Sequence, residues 1–440
     1  MKVAVIGCGY LGAVHAASMA ELGHDVVGLD VDASRVSLLS DGIAPFHEAN
    51  LQELLERNVG KRLRFTTDYH QVADAEVHFI CVGTPQLEGS NAADVSYVDA
   101  AVESLVPHLR SQNGRPALVV GKSTVPVGTA ARVASRLPVG DALLIWNPEF
   151  LREGFAVQDT LSPDRMVYGL PADTQEAETA RETLDEVYAD LVHDQRIPRM
   201  LTDYATAELV KVAANSFLAT KISFINAMAE LCEATGADVV QLAEAIGHDE
   251  RIGNKFLRAG VGFGGGCLPK DIRAFMARAG ELGVDQALTF LREVDNINYR
   301  RRAHVTRMAV RALGGSASGK RVAVLGASFK PDTDDTRDSP ALDVAERLHG
   351  AGANVVVTDP QALTHVSRER PHLGTASSPQ EAISGADLVL LLTEWSEYAE
   401  LDAQTTAEWP RSAVIIDGRN VLDPAAWRAA GWEYHSIGRP

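Results

Sequence analysis

The feature that most constrains this chain lies within its first thirty residues. Residues 2–6 (KVAVI) read as a buried strand, residues 7–12 (GCGYLG) place glycine at 7, 9 and 12, and an amphipathic stretch runs from Val14 to Leu22 before Gly23 stops it. A second strand, DVVGLD, ends at Asp30. Strand, glycine turn, helix and strand in that order form a βαβ unit. In it Gly7 allows the tight turn, Gly9 lets backbone approach a pyrophosphate, and Gly12 packs helix on strand. The backbone of Tyr10 and Leu11 opens the helix, whose N-terminus faces the anion. Asp30 would accept hydrogen bonds from a ribose 2′-hydroxyl and repel a 2′-phosphate, so NAD is expected rather than NADP. Arg35 is near enough in sequence to the adenosine end to be a further contact, one that weakens the choice of NAD over NADP a little.

A chain of 440 residues is long enough for about three domains at ~150 residues each. Its 46% hydrophobic and 23% charged residues are ordinary for a globular protein, which excludes disordered and fibrous classes. The formal charge of −18 argues against a nucleic-acid backbone or an anionic membrane as partner. No run approaches the ~20 apolar residues of a membrane span. No export signal is visible, and Cys8, Cys81, Cys232 and Cys267 show no disulfide or CxxC spacing. A cytoplasmic protein with reduced thiols and no metal site is expected.

Further buried-strand runs at 76–82, 117–121 and 142–146 extend a parallel sheet over residues 1–200. From Asp203 to Gly236 there is no Gly or Pro, and apolar residues recur at helical spacing, so one long helix of ~45 Å is expected, with a possible subunit interface along it. After GSASGK at 315–320 the first third is echoed. RVAVLG at 321–326 mirrors KVAVIG, and NVVVTDP at 354–360 mirrors DVVGLD. DLVLLLTEW at 387–395 mirrors EVHFICVGTP, and AVIIDG at 413–418 mirrors ALVVGK. The expected fold is therefore α/β: two Rossmann-like doubly wound domains joined by a long central helix, divided as 1–200, 201–300 and 301–440. The second copy lacks the third glycine and should bind something other than a dinucleotide pyrophosphate.

Cys267 sits in GVGFGGGCLPKD, where the crowded glycines imply close backbone approach to a ligand. Lys270 and Asp271 follow within one turn, and a nearby cation favours thiolate, so Cys267 is the candidate nucleophile. The other cysteines read as small buried side chains. On the long helix Glu208, Lys211 and Asn215 share one face, either as a solvated stripe with an i, i+3 salt bridge or as a functional surface. NPEFLREG at 147–154 and FKPDTDDTRDSPA at 329–341 are polar loops after predicted strands, at the edge where open α/β sheets bind ligands.

Together these stretches resemble the UDP-glucose 6-dehydrogenase family of nucleotide-sugar dehydrogenases. The likeness runs through GCGYLG, CVGTP at 81–85, STVPVGT at 123–129, NPEFLREG, KVAAN at 211–215, RIGNKFLRAGVGFGGGCLPKD at 251–271 and FKPDTDDTRDSPA. It implies an NAD-dependent four-electron oxidation of a sugar 6-hydroxymethyl group to a carboxylate. An aldehyde would be captured by Cys267 as a thiohemiacetal, oxidised to a thioester and hydrolysed. By match to the family motifs, Lys211 would assist proton removal and stabilise the oxyanion, with Asn215 and Thr124 around an active-site water. Glu149 and Glu153 would activate the hydrolytic water, while Asp271 would position it and balance Lys211. Thr84, Thr124, Glu153, Lys270 and Arg337 match cofactor-contacting positions.

The substrate would be held by Glu149, Phe150, Leu151, Arg152 and Glu153, with Lys211 and Asn215. Phe256, Leu257, Arg258, Ala259, Gly260 and Gly264 would surround sugar and pyrophosphate, with Lys330 and Arg419 from the C-terminal part. Arg251 matches an arginine that reaches the neighbouring subunit's substrate, which implies a homodimer. The chain departs from the family at Gly266, where Ser is usual, and this is expected to loosen the loop. It departs also at Arg35 and Arg258, where Lys is common, and at PFHEANL (45–51). UDP-glucose is the expected substrate, with TDP-glucose, GDP-mannose and UDP-N-acetylmannosamine as alternatives. More remote alternatives are a two-electron hydroxyacid dehydrogenase and a silent NAD-binding scaffold.

Overall fold

Apolar runs bounded by glycine and polar loops form strands, and the helical patterns between them cover the sheet faces. A computed structural model describes residues 1–112, 114–193 and 197–440. The chain divides into two units, Met1–Ala214 with Arg273–Leu282, and Asn215–Ile272 with Gly283–Pro440.

The first unit holds eight strands: β1 (Lys2–Ile6), β2 (Asp25–Leu29), β3 (Leu63–Thr66), β4 (Val77–Ile80), β5 (Ala117–Gly121), β6 (Ala142–Trp146), β7 (Met166–Leu170) and β8 (Arg199–Asp203). Their order is β3-β2-β1-β4-β5-β6-β7-β8. The first six follow the doubly wound pattern and are parallel. The expectation of a wholly parallel sheet fails at one pair, because β7 runs antiparallel to β6. An antiparallel neighbour can be reached by a return on the same edge. The connection that carries NPEFLREG therefore starts and ends at the carboxyl edge of β6.

The helix after the glycine loop, Tyr10–Glu21, buries every residue from Gly12 to Ala20. It is not amphipathic as expected, because the helices Leu51–Asn58 and Ala156–Leu161 pack over it as well as the sheet. A small-residue sequence, AVHAASMA, permits that enclosure.

The second unit holds β9 (Arg321–Leu325), β10 (Asn354–Thr358), β11 (Gly374–Thr375), β12 (Leu388–Leu391), β13 (Val414–Asp417) and β14 (Glu433–Ser436). They form one parallel sheet in the order β11-β10-β9-β12-β13-β14. One apolar cluster covers a face with the helix Pro340–Gly350, and a second, with Trp395, Trp427 and Trp432, covers the other.

The long helix spans Tyr204–Thr235. Its first turns belong to the first unit, where Ala207 is fully buried in the core beside β6 and β7. Its later turns put Ile225, Ala229 and Cys232 into the core of the second. A shorter helix, Leu268–Glu281, likewise begins in the second unit and ends in the first, where Arg278 Nε donates to the Val127 carbonyl at 3.0 Å. No helix among the described residues is long and apolar enough to cross a membrane.

Candidate active site

The glycine loop has the geometry its sequence demands. Gly7 has φ +89°, in the left-handed region, and its N–H donates to the Leu29 carbonyl at 2.7 Å. A Cβ on Gly12 would collide with the Gly7 carbonyl, so helix and strand meet as closely as backbone allows. A Cβ on Gly9 would meet no atom within 4 Å. This opening, at the N-terminus of Tyr10–Glu21, is where a pyrophosphate would lie. Asp30 is buried; its Oδ2 accepts from the Cys8 N–H at 2.7 Å and from Arg35 Nη1 at 3.0 Å, while Oδ1 accepts from the Asp32 N–H. Arg35 is therefore tied to Asp30. Beyond β4 and β5, Thr84 is buried and donates to the Thr124 carbonyl at 2.7 Å, which puts the two threonines side by side. The residues present fit NAD.

The solvated-stripe reading of the long helix is excluded, since Glu208, Lys211 and Asn215 are 2%, 4% and 8% exposed. Each finds a partner distant in sequence. Glu208 accepts from the N–H groups of Gly128 and Ala130, capping the helix Thr129–Ala134, and burial raises its pKa. Lys211 Nζ lies 2.8 Å from Glu149 Oε1, and Glu149 Oε2 accepts from the Leu151 N–H at 2.7 Å. The Lys211 ammonium is also 5.8 Å from the Phe150 ring, over which Arg165 sits at 3.8 Å. Arg152 is spent on Asp159, at 2.6 and 3.0 Å, and Glu153 is half-buried beside it.

In the second unit Asn215 Nδ2 donates to Asp271 Oδ2 at 2.6 Å, and Lys270 Nζ pairs with Asp271 Oδ1 at 2.9 Å. Asp271 is buried, on the first turn of Leu268–Glu281. Cys267 directly precedes that helix, and its carbonyl accepts from the Asp271 N–H. Of the four cysteines it alone is exposed. Burial pushes the Cys81 thiol up to about 12 and raises that of Cys8 as well. A helix N-terminus acts in the opposite sense on a thiol beside it.

The glycines before Cys267 approach the protein's own chain. A Cβ on Gly264 would meet the Asp338 carbonyl and Pro340, and one on Gly265, at φ +86°, would meet the Phe329 ring. The Gly265 N–H donates to the Arg337 carbonyl at 2.9 Å. Arg302, buried, ties Asp338 at 2.7 Å to the Phe263 carbonyl at 2.8 Å. The cysteine loop and the FKPDTDDTRDSPA loop thus pack on each other. Gly266 does not leave this loop loose, because the Arg337 guanidinium occupies the place of a side chain there.

Residues 251–260 form a turn in which Phe256 has φ +62°, a costly conformation for an aromatic residue and one that concentrates at functional sites. Leu257 and Ala259 are buried, Arg258 is exposed, and the Gly260 N–H donates to Asn226 Oδ1. Arg251 is exposed and pairs with Asp249. Arg419 spends its donors on the carbonyls of Gly262, Leu392 and Phe329 and pairs with Glu394 at 3.1 Å. Lys330 lies half-buried, 5.9 Å from the Phe329 ring.

Two supports escaped the sequence reading. Glu48 is buried and accepts from the N–H groups of Gly154 and Ala156 and from the Tyr10 hydroxyl, which fastens NPEFLREG to the glycine-loop helix. Lys122, directly after the all-apolar ALVVG strand, is buried with its Nζ on Asn147 Oδ1 at 3.0 Å. A lysine closing an apolar strand was the available signal.

Comparison with known proteins completes the picture. Residues 1–192 match the NAD binding domain of the UDP-glucose/GDP-mannose dehydrogenase family, residues 205–300 its central domain and residues 323–424 its UDP binding domain. A UDP-glucose 6-dehydrogenase of Rhizobium meliloti is 41% identical, with 100% of each chain covered. Among solved structures, a UDP-glucose dehydrogenase from Pyrobaculum islandicum gives a TM-score of 0.88 at 37% identity, covering 100% of this chain and 98% of that one. A UDP-D-ManNAc dehydrogenase from Pyrococcus horikoshii gives 0.85 at 27% identity, covering 100% and 99%. With its glycine loop, its paired Lys211 and its exposed Cys267 carried on matching domains throughout, the chain belongs to the UDP-glucose/GDP-mannose dehydrogenase family.

Proposed function

We propose that this enzyme oxidises UDP-glucose to UDP-glucuronate by four electrons, through a thioester on Cys267. The observation that carries the reading is that Cys267 is the one exposed cysteine and stands at the start of a helix that also bears Lys270 and Asp271. NAD, when bound, accepts a hydride at each of two oxidation steps. Lys211, held by Glu149, takes part in moving the proton from the 6-hydroxyl and steadies the developing oxyanion. The Cys267 thiolate adds to the aldehyde carbon to give a thiohemiacetal. Loss of the second hydride leaves the thioester, and water then cleaves the C–S bond, releasing carboxylate and thiol. Asn215 and Asp271, 2.6 Å apart, orient the water, with Thr124, Glu149 and Glu153 as its further partners.

In this reading residues 1–200 bind NAD, 201–300 pair subunits, and 301–440 bind the nucleotide. Exposed Phe217, Phe224 and Leu231 repeat at seven-residue spacing on the long helix, a stripe suited to a second copy. Arg251 would serve the neighbour's substrate. A reactive Cys267 is best kept in a reducing compartment, the cytoplasm.

NADH formed per limiting sugar tests the reaction. Two per UDP-glucose is expected, and Cys267→Ala should lower acid formation on the order of a thousandfold with NAD affinity unchanged. One NADH per sugar would sink the thioester route. Two per TDP-glucose, GDP-mannose or UDP-N-acetylmannosamine, with none from UDP-glucose, would keep the route and replace the substrate.

A further inference from the structure

Lys122 is an expensive residue to bury. It follows β5 at the carboxyl edge of the first sheet, and Asn147 follows the neighbouring β6, so the two stand side by side past the last rung of the ladder. Among the described residues the hydrogen-bond acceptor of Lys122 Nζ is Asn147 Oδ1, at 3.0 Å. An ammonium can donate three times. Asn147 is itself fixed, since its Nδ2 donates to the Val167 carbonyl at 2.9 Å and its Oδ1 also accepts from the Tyr188 hydroxyl. It is also the first residue of the loop that brings Glu149 to Lys211.

Beside Lys122 lies a cavity of about 60 Å³, lined by His15, Asn147, Glu149, Asp164 and Tyr188 among others. His15 is buried there, and among the described residues its Nε2 has no hydrogen-bond partner. A cavity of that size with polar groups on its wall has room for water. The titratable and charged groups around Lys122 are Cys81 after β4, Glu149 after β6, Lys211 on the long helix and His15 on Tyr10–Glu21, with Asp159, Asp164, Arg165 and Tyr188 on the wall of the same cavity. The Tyr188 ring lies 6.0 Å away.

We propose that Lys122 is a positioning residue for the Glu149–Lys211 pair: it anchors Asn147 and adds a second buried positive charge behind that pair, which holds protons there less tightly. The inference rests on the proposed roles of Glu149 and Lys211. A group that only supported the fold would not be a desolvated cation with one acceptor, since an apolar side chain fills such a place at less cost. Burial pushes the Lys122 ammonium itself down to about 8.

The test is a set of variants read by steady-state kinetics, pH profile and thermal melting. Lys122→Met is expected to lower kcat about tenfold or more, leave the KM for NAD unchanged, and melt no lower than the parent at pH 7. Its pH profile of kcat/KM should move to higher pH by about one unit, because removing a positive charge favours protonation of the groups that remain. Lys122→Arg, which keeps the charge, should return the profile toward the parent, and Lys122→Gln, which keeps only a donor for Asn147, should not. A Lys122→Met enzyme with parental kcat and profile would overturn the proposal. So would one whose kcat and melting temperature fall together while the profile stays in place. Glu149→Gln and Lys211→Met complete the set: if both turn over normally, the parent reading fails and this inference with it. If both are crippled and Lys122→Met is not, only this inference fails.

Discussion

The first crossings of the two sheets are near copies that end in opposite uses. In each, a five-residue strand leads to a left-handed glycine, Gly7 at φ +89° and Gly326 at φ +108°. The glycine N–H donates to the end of the next strand, at Leu29 or Thr358. An aspartate then closes the unit, and its Oδ2 accepts a loop N–H at 2.7 Å, from Cys8 to Asp30 and from Ala327 to Asp359. There the copies part. Asp30 faces the short turn of Gly9 and Gly12, with a helix starting at Tyr10. Asp359 faces a long loop whose helix waits until Pro340. Its Oδ2 also takes the Ser328 N–H and hydroxyl and the Trp395 indole, and its Oδ1 takes the N–H groups of Gln361 and Ala362. The same carboxylate closes a short glycine turn in one sheet and is the hub of a hydrogen-bond network in the other.

The fifth strand of each half repeats the contrast. Asp417, at the end of β13, is buried and satisfied by the N–H groups of Leu422 and Arg419 and the Tyr434 hydroxyl. Lys122, just past β5, has one acceptor among the described residues. The second sheet ties Asp359 and Asp417 into hydrogen-bond networks, whereas Lys122 in the first is left with a single acceptor among the described residues.

If that contrast is right, the largest effect belongs to Asp359→Ala, which strands several buried donors. It should cost about 3 kcal/mol or more of stability with NAD affinity unchanged, read by chemical unfolding and by NAD titration. Lys122→Met should do the reverse and stabilise by up to about 3 kcal/mol at pH 7. The sign follows from a folded value of about 8 against an ordinary 10.5. Below pH 8 both states carry the proton and the burial cost is present in full. Between pH 8 and 10.5 the folded state sheds its proton first, so the advantage of Met fades across that window, and unfolding at pH 7 and 10 measures it. Asp30→Ala should weaken NAD about tenfold, ~1.4 kcal/mol, and narrow the preference over NADP, with far less loss of stability than Asp359→Ala. Equal losses of stability at the two aspartates would erase the distinction. The smallest effect is expected of Gly266→Ser. Arg337, with a largely exposed side chain, should swing aside at a cost within about 0.5 kcal/mol in unfolding free energy.

The elements readable in the sequence were those with strong, uninterrupted patterns. The strands of both βαβ units and the long helix lie within a residue or two of their expected places. Most of the strands that escaped are edge or half-buried ones, although β7, buried between β6 and β8, escaped as well. β8 exposes Met200 and Leu201, β14 alternates as EYHS, and β3 has four residues. The reversal at β7 could not be read, because a strand's direction is set by where its connection travels and not by its composition. At the site, residue types were legible and their partners were not. Glu208, Lys211 and Asn215 look like a solvated stripe until Gly128, Glu149 and Asp271 arrive from elsewhere in the chain. The glycines around Cys267 announced close approach, but a ligand and the chain's own Asp338 and Phe329 impose the same demand on a missing Cβ.

The first unit is not a continuous stretch of chain: it takes back residues 273–282 after residues 215–272 have gone to the second. During synthesis the ribosome has delivered nearly all of the first sheet's unit well before the segment bearing Arg278 emerges. At ~5–20 residues per second that interval lasts several seconds. Through it the nascent chain carries an incomplete first unit, while the helix that completes it, just after Cys267, has yet to emerge. Premature termination anywhere between residues 215 and 272 would therefore release a fragment whose first unit lacks its closing segment, and such fragments should be cleared by proteases rather than persist as working cofactor-binding pieces.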